Sequence, residues 1–231
     1  MAKSSKNKYW QLTKKILLWL FIGQFVYILF CKWVNPPFTI TQVVNLVQGN
    51  GLKRDYISYN DMGPNIKLAV MAAEDQLFPD HDGFDIKAIK KAIKFNEKHP
   101  NKTRGASTIS QQTAKNVFLW QHGGFFRKGL EVYFTFMIEK IWSKERILET
   151  YLNVAEMGKG IFGVQAAAKN YFKKNAKELS RQEAAMIAAC LPNPKKYTVK
   201  PISRYVNYRS AYILRQMNNL DGDPDIGSLL K

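Results

Sequence analysis

The 231-residue chain, 46% apolar, can bury one good-sized core, which allows a single folded domain plus a tail and excludes a second large domain. Its 35 Lys and Arg against 18 Asp and Glu give a formal charge of +17, pointing to an anionic partner: nucleic acid, a membrane surface or a phosphorylated substrate. Cys31 and Cys190 are the only cysteines, and His81, His99 and His122 lack ligand spacing, which excludes a disulfide framework and a Cys-based zinc motif.

Residues 1–54 contain no acid, and Lys14-Lys15 leads into an apolar run from Ile16 to Cys31 broken only by Gly23 and Gln24. A spanning helix needs roughly 17–25 residues, and a last turn through Val34 with a snorkelling Lys32 completes one over 16–34. Trp10 and Trp33 suit its two interfaces. No small-x-small cleavage site follows the run, so an uncleaved anchor is preferred over a secretory signal. Lys3, Lys6, Lys8, Lys14 and Lys15 precede the span, so the positive-inside rule makes residues 1–15 a cytoplasmic basic tail and places everything after about residue 35 outside.

Residues 35–50, opening with Asn35-Pro36-Pro37, are read as a linker with local structure, 51–220 as the folded domain and 221–231 as a C-terminal tail. In the domain, apolar residues recur at helical spacing, as in Leu130, Phe134, Met137, Ile138 and Ile141, then Ile147, Leu148, Tyr151, Leu152 and Ala155. Thr108-x-x-Gln111 and Ser180-x-x-Glu183 have capping-box form, and Leu191-Pro192-Asn193-Pro194 stops the helix that Ser180 begins. No strand-rich block or repeat appears, so the fold class is mainly α.

Four clusters carry candidate chemistry. In Ala72-Ala73-Glu74-Asp75-Gln76-Leu77-Phe78-Pro79-Asp80-His81-Asp82-Gly83, an apolar helical run delivers acids into a Pro- and Gly-containing loop. A carboxylate at the edge of an apolar wall has its pKa raised by desolvation, as a general acid or base requires; the plain alternative is a solvated helix end. The stretch from Arg104 to Asn116 joins a loop to a capped helix bearing Gln111, Gln112 and Lys115, whose first N–H groups suit an anion; an ordinary capped helix is the alternative. Lys128 and Glu131 share a helical face, as a substrate-facing pair or a surface ion pair. The stretch from Lys144 to Asn153, running into Gly158, Gly160 and Gly163, reads mostly as scaffold.

In this order the clusters resemble the peptidoglycan glycosyltransferase family, over roughly residues 50–215. Glu74-Asp75 through Phe78, His81 and Gly83 look like its first motif, and Gly105-x-Ser107-Thr108-Ile109-x-Gln111-Gln112-x-x-Lys115-Asn116 like its second. Arg127-Lys128-x-x-Glu131, Ile147-Leu148-Glu149-x-Tyr151-Leu152-Asn153, and Glu183-Ala184-Ala185 with Leu191-Pro192-Asn193-Pro194 look like the third to fifth. The resemblance implies a lysozyme-like helical lobe with a smaller membrane-associated jaw. The chain ends soon after the fifth motif, so the monofunctional form, without transpeptidase activity, is the closer match.

What the resemblance implies is polymerisation of lipid II with inversion into β-1,4-linked glycan, releasing polyprenyl pyrophosphate, outside the cytoplasmic membrane of a bacterium. Glu74 matches the catalytic base and Glu131 a second essential acid, which would orient cations, hold a divalent metal or assist the leaving group. Asp75, Phe78, His81, Ser107, Thr108, Gln111, Gln112 and Asn116 are expected to position substrate, and Lys115, Arg127 and Lys128 to neutralise the pyrophosphate. No cofactor is required by the sequence; a divalent cation, Mg or Mn, would act through that pyrophosphate. Expected partners are lipid II, the growing lipid-linked strand, the membrane and other cell-wall synthesis or division proteins, with no nucleic acid. Phe118, Leu119, Trp120, Phe125 and Phe126 would form either an embedded surface or core. Two other classes compete: a lytic hydrolase using one Glu as general acid, and a non-enzymatic basic binder of anionic lipid or nucleic acid.

Overall fold

The computed structural model describes residues 2–231 other than Thr103 and His122, with side chains from Tyr9 onward. The side chains of Lys3, Lys6 and Lys8, and all of His122, therefore lie outside the described residues. The chain divides into two units, Met1–Pro36 and Pro37–Lys231.

The first unit is one helix, α1 (Ala2–Cys31), within which Tyr9–Cys31 has mean hydropathy 1.7 over 23 residues, long and apolar enough to cross a membrane. Its apolar residues circle the axis: Leu17, Leu18, Trp19, Leu20 and Phe21 are all exposed, as suits a helix whose solvent is lipid. The helix starts earlier than residue 16 and ends at Cys31, so the length expected from Val34 is supplied upstream. Thr13, on this extension, donates back to Tyr9 O, a bond that lets a hydroxyl sit in an apolar helix.

The second unit is built on two helix groups. In one, α3 (Pro64–Glu74) packs against α9 (Arg181–Cys190) and α10 (Arg204–Leu220). Pro64 starts α3 at a position where its missing N–H costs nothing, and Ile66 and Leu68–Ala72 are all buried. Ala184, Ala185, Ala188 and Ala189 keep α9 thin enough for close approach on all sides. Its Ser180–Glu183 capping box forms, and the helix ends at Cys190 before Pro192.

In the other group, α5 (Ile109–Phe118) packs against α6 (Phe125–Ile141) and α7 (Lys144–Val154). The Thr108–Gln111 capping box starts α5, and the Ser143 side chain caps α7. Ile147, Leu148, Tyr151, Leu152 and Ala155 are buried as their spacing predicts, each large side chain contributing roughly 1.5–3 kcal/mol. On α6 the buried stripe is different: Glu131, Thr135 and Ile138 face inward, while Leu130 is only half-buried.

The local structure expected in the linker 35–50 is α2 (Ile40–Val47), started by a Thr39–Gln42 capping box. The tail 221–231 is instead α11 (Pro224–Leu230), capped by Asp223, with Ile226 and Leu229 buried and the helix packed on α3. Beyond the α-helical pattern lies a small sheet in the order β1 (Lys53–Arg54), β3 (Ile161–Phe162), β2 (Glu156–Gly158). Lys53 pairs in parallel with Ile161, and Glu156 antiparallel with Phe162. Gly160, at φ +67, makes the β2–β3 turn; a Cβ there would fall 2.2 Å from Asn50 O. Of the aromatic set, Phe118 stacks on Phe134 at 4.7 Å and Leu119 is buried, whereas Phe125 and Phe126 are 98% and 76% exposed. Between α3 and α5 in the chain, α4 (Ile86–Lys98) is lysine-rich, with Ala92 its one buried residue and Ile86 and Ile93 exposed.

Candidate active site

Glu74 is the last residue of α3, where the buried run Ile66–Ala72 gives way to half-buried positions. Gln112 Nε2 donates to Glu74 Oε2 at 2.7 Å, and Tyr151 Oη donates to Gln112 Oε1 at 3.2 Å. A donor on one side and an acceptor on the other fix the orientation of the Gln112 amide. Burial raises the pKa of the Glu74 carboxyl; the Gln112 hydrogen bond and the Arg209 charge oppose that rise, Asp75 adds to it and Lys115 opposes it. Arg209, on α10, also donates from Nη2 to Ala73 O at 3.2 Å, tying it to the helix end that carries Glu74.

The next acid does different work. Asp75 Oδ2 accepts from Ile109 N–H at 3.0 Å, and His81 Nε2 lies 3.0 and 3.1 Å from the two Asp75 oxygens. Gly83 N–H donates to His81 Nδ1 at 3.1 Å, which leaves Nε2 as the nitrogen that donates to Asp75. Thr108 Oγ1 donates to Gly83 O at 2.7 Å, and Gly83 adopts φ +86 where a Cβ would meet Thr135 at 2.8 Å. Lys144 donates to His81 O and to Glu139 Oε1, which also accepts from Ser110. Phe78 is buried edge-on to His81, and Gln111 closes the Thr108 cap. Asp75, Phe78, His81, Thr108 and Gln111 thus hold the first turn of α5, which aims Gln112 and Lys115, three residues apart on one face, toward Glu74.

Lys115 joins this centre to the third cluster. Burial lowers its pKa; Glu131 raises it, Arg127 and Lys128 lower it, and Glu74 raises it. Glu131 is only 3% exposed and meets Arg127 Nη1 through Oε2 at 2.7 Å and Lys128 Nζ through Oε1 at 2.5 Å. Arg127 Nε is buried without a hydrogen-bond partner, an unspent charge-assisted donor. The arrangement suits an anion bound beside Lys115. It does not suit a metal on Glu131, because both carboxylate oxygens already face cations. Among the described residues, no group of three or more His, Cys, Asp or Glu could hold a metal ion.

A cleft of about 480 Å³ is lined by Gln112, Lys115 and Asn116 of α5, by Tyr151, and by Asn45, Glu156 and Lys195; Glu74, Arg127, Lys128 and Glu131 lie outside its lining. Asn116 Oδ1 accepts from Gln121 at 3.0 Å, and Ser107 is exposed ahead of α5. The structure therefore brings Glu74, Gln112, Lys115, Arg127, Lys128 and Glu131 into one electrostatic system. Arg209, Asn45 and Glu156 escape the sequence reading: none sits in the quoted motifs, and α10 reads as an ordinary amphipathic helix. Tyr151 carries a signal, since it lies within the fourth motif-like segment.

Residues 41–218 match a family model described as Transglycosylase. A "Biosynthetic peptidoglycan transglycosylase" of Haemophilus influenzae is 48% identical over 221 residues, covering 93% of this chain and 89% of the relative. Proteins of the same name from Mannheimia succiniciproducens and Escherichia coli are 52% and 56% identical, covering 87% and 74% of this chain and 85% and 70% of their own lengths.

Proposed function

The chain belongs to the transglycosylase family, and from that premise we propose that it is a peptidoglycan glycosyltransferase that polymerises lipid II into β-1,4-linked glycan and releases polyprenyl pyrophosphate. The observation that carries this reading is the pairing of a desolvated carboxyl, Glu74, with buried and half-buried cations at Lys115 and Arg127. Glu74 removes the proton of the attacking 4-hydroxyl of an acceptor GlcNAc. The hydroxyl oxygen bonds to C1 of the donor MurNAc as the C1–O bond to pyrophosphate breaks, and the pair of electrons departs with the leaving group. Lys115, Arg127 and Lys128 neutralise that developing charge, with Glu131 holding the last two in place. A divalent cation would be held by the substrate's pyrophosphate, since both Glu131 oxygens already face Arg127 and Lys128.

The polyprenyl tail requires a site beside a bilayer, which fits a single-pass anchor in the helix Tyr9–Cys31. We place the N-terminus in the cytoplasm and Pro37–Lys231 on the outer face. The exposed Phe125 and Phe126 and the Lys-rich α4 with Ile86 and Ile93 form the jaw that meets lipid.

The test is incubation of the purified full chain with lipid II and separation of products by gel, beside a folded Glu74→Gln variant. Elongated glycan from the parent alone is expected. A parent that shortens finished strands and extends none is a hydrolase; a Glu74→Gln variant that polymerises normally removes Glu74 as the base.

A further inference from the structure

Glu74 sits at the end of a helix that disfavours a carboxylate. Aligned peptide dipoles leave a partial negative charge at a helix C-terminus, and the last carbonyls there have no intrahelical partner. In α3 the ladder ends with Asp75 N–H donating to Met71 O at 2.9 Å, and Asp75 itself, at φ −162 and ψ 82, has left the helix. The next two carbonyls accept from side chains instead: Gln76 Nε2 donates to Ala72 O at 3.2 Å, and Arg209 Nη2 donates to Ala73 O at 3.2 Å. Both donors are tied to α10. Arg209 lies on it, its guanidinium 4.8 Å from the centre of the Tyr212 ring, and Gln76 Nε2 also donates to Gln216 Oε1 at 3.1 Å. Positions 209, 212 and 216 have the i, i+3, i+7 spacing of one helical face, so a single stripe of α10 supplies the guanidinium, the ring beside it and the second brace.

We propose that Arg209 is a positioning residue for the reaction, closing the open end of α3 and presenting a cation to Glu74 from α10. The inference rests on Glu74 being the base and adds the residue that keeps that base in place and in its working protonation state. Among the described residues, the titratable and charged groups that face Glu74 are Asp75 beside it, Lys115 of α5, Tyr151 of α7, Cys190 of α9, and Tyr205 and Arg209 of α10; Gln112 of α5 is its hydrogen-bond donor. Lys115 and Arg209 are the cations of this set. Lys115 is shared with Glu131 and, on the polymerase reading, with the pyrophosphate, so Arg209 is the cation left to Glu74 while the anion is bound. Burial pushes the Glu74 carboxyl up; the Gln112 hydrogen bond and then the Arg209 charge pull it back down. Without Arg209 the carboxyl holds its proton to higher pH, and the helix end that aims it loses a brace; a misplacement of about 1 Å is enough to cost about a hundredfold in rate.

The experiment records kcat, KM and the pH profile of kcat/KM for lipid II polymerisation by the full chain, Arg209→Gln, Arg209→Lys and Glu74→Gln. Arg209→Gln keeps an amide donor and removes the charge, so its acid limb is expected at higher pH, with kcat at neutral pH about tenfold lower and KM within about twofold. Arg209→Lys restores the charge, and its acid limb is expected back at the parent's position with kcat within about threefold. An acid limb that stays put in Arg209→Gln overturns the proposal, as does a KM rise at unchanged kcat, which makes Arg209 a ground-state substrate contact. Should Arg209→Gln fail to fold, Arg209→Met, which keeps an unbranched stem against Tyr212, is judged on the same limb; loss of folding in both makes Arg209 a structural brace and overturns the proposal. A Glu74→Gln variant with the parent's rate and acid limb removes the base reading and this inference together. An inactive Glu74→Gln beside an unmoved limb in Arg209→Gln removes the inference alone.

Discussion

Glu74 and Glu131 are the same residue type, both set against the core of the same unit, and their surroundings separate them. Glu74 has a neutral partner, the Gln112 amide, and burial raises its pKa. Glu131 is held between two cations, one on each carboxylate oxygen. A carboxyl that binds its proton more tightly than usual can accept one from a substrate; a carboxylate locked between Arg and Lys is a charge anchor. On the reading proposed above, the partners and not the residue type decide which acid moves protons.

The widest separation between the two acids is expected in the chemical step. Glu74→Gln keeps the size and the neighbours but cannot take a proton, so the polymerisation rate should fall by about a thousandfold while the thermal midpoint holds; single-turnover kinetics with lipid II measures it. A variant retaining a tenth of the rate would make Glu74 a positioning residue. Lys115→Met should cost about a hundredfold in kcat, because the leaving pyrophosphate loses a desolvated cation. If only KM moves, Lys115 contributes to ground-state binding alone.

Breaking the other acid should look different. Glu131→Gln leaves Arg127 and Lys128 facing each other, so we expect loss of about 1–2 kcal/mol of stability in a denaturant titration, together with about a tenfold loss of activity. The cost sits at the low end because Lys128 is 46% exposed and screened by solvent. Activity lost to the full extent of Glu74→Gln, with no change in stability, would make Glu131 a second proton-transfer group.

The smallest effect distinguishes the acids by pH. Glu74 must be deprotonated and Lys115 protonated, so kcat/KM should be bell-shaped, the acid limb above the usual carboxylate range and the alkaline limb below the usual lysine range. Gln112 lowers the Glu74 pKa; Gln112→Ala therefore moves the acid limb to higher pH, with a few-fold loss of maximal rate. An unmoved acid limb would assign that limb to another group.

Much of this was legible before any coordinates. The Thr108 and Ser180 caps, the stop at Pro192 and the 3.6-residue spacing on α7 read correctly, because each depends on residues within about one turn of one another. Lys128 and Glu131 pair as their spacing requires, and the family resemblance matches the region covered by the family model, residues 41–218. The α6 stripe misled because Glu131 and Thr135 are buried for reasons of charge pairing and capping of a carbonyl, not hydropathy. Residues 221–231 looked like a tail because Pro224–Leu230 is too short to show a period, and only docking on α3 buries Ile226 and Leu229.

What the sequence determined by itself was the set of local instructions: where helices start and stop, which segment is apolar enough for lipid, and which charged residues travel together. What only tertiary structure decided was which of those charges meet. Gln112 reaches Glu74 across 38 positions and Arg209 reaches Ala73 across 136, separations over which neither period nor cap carries information.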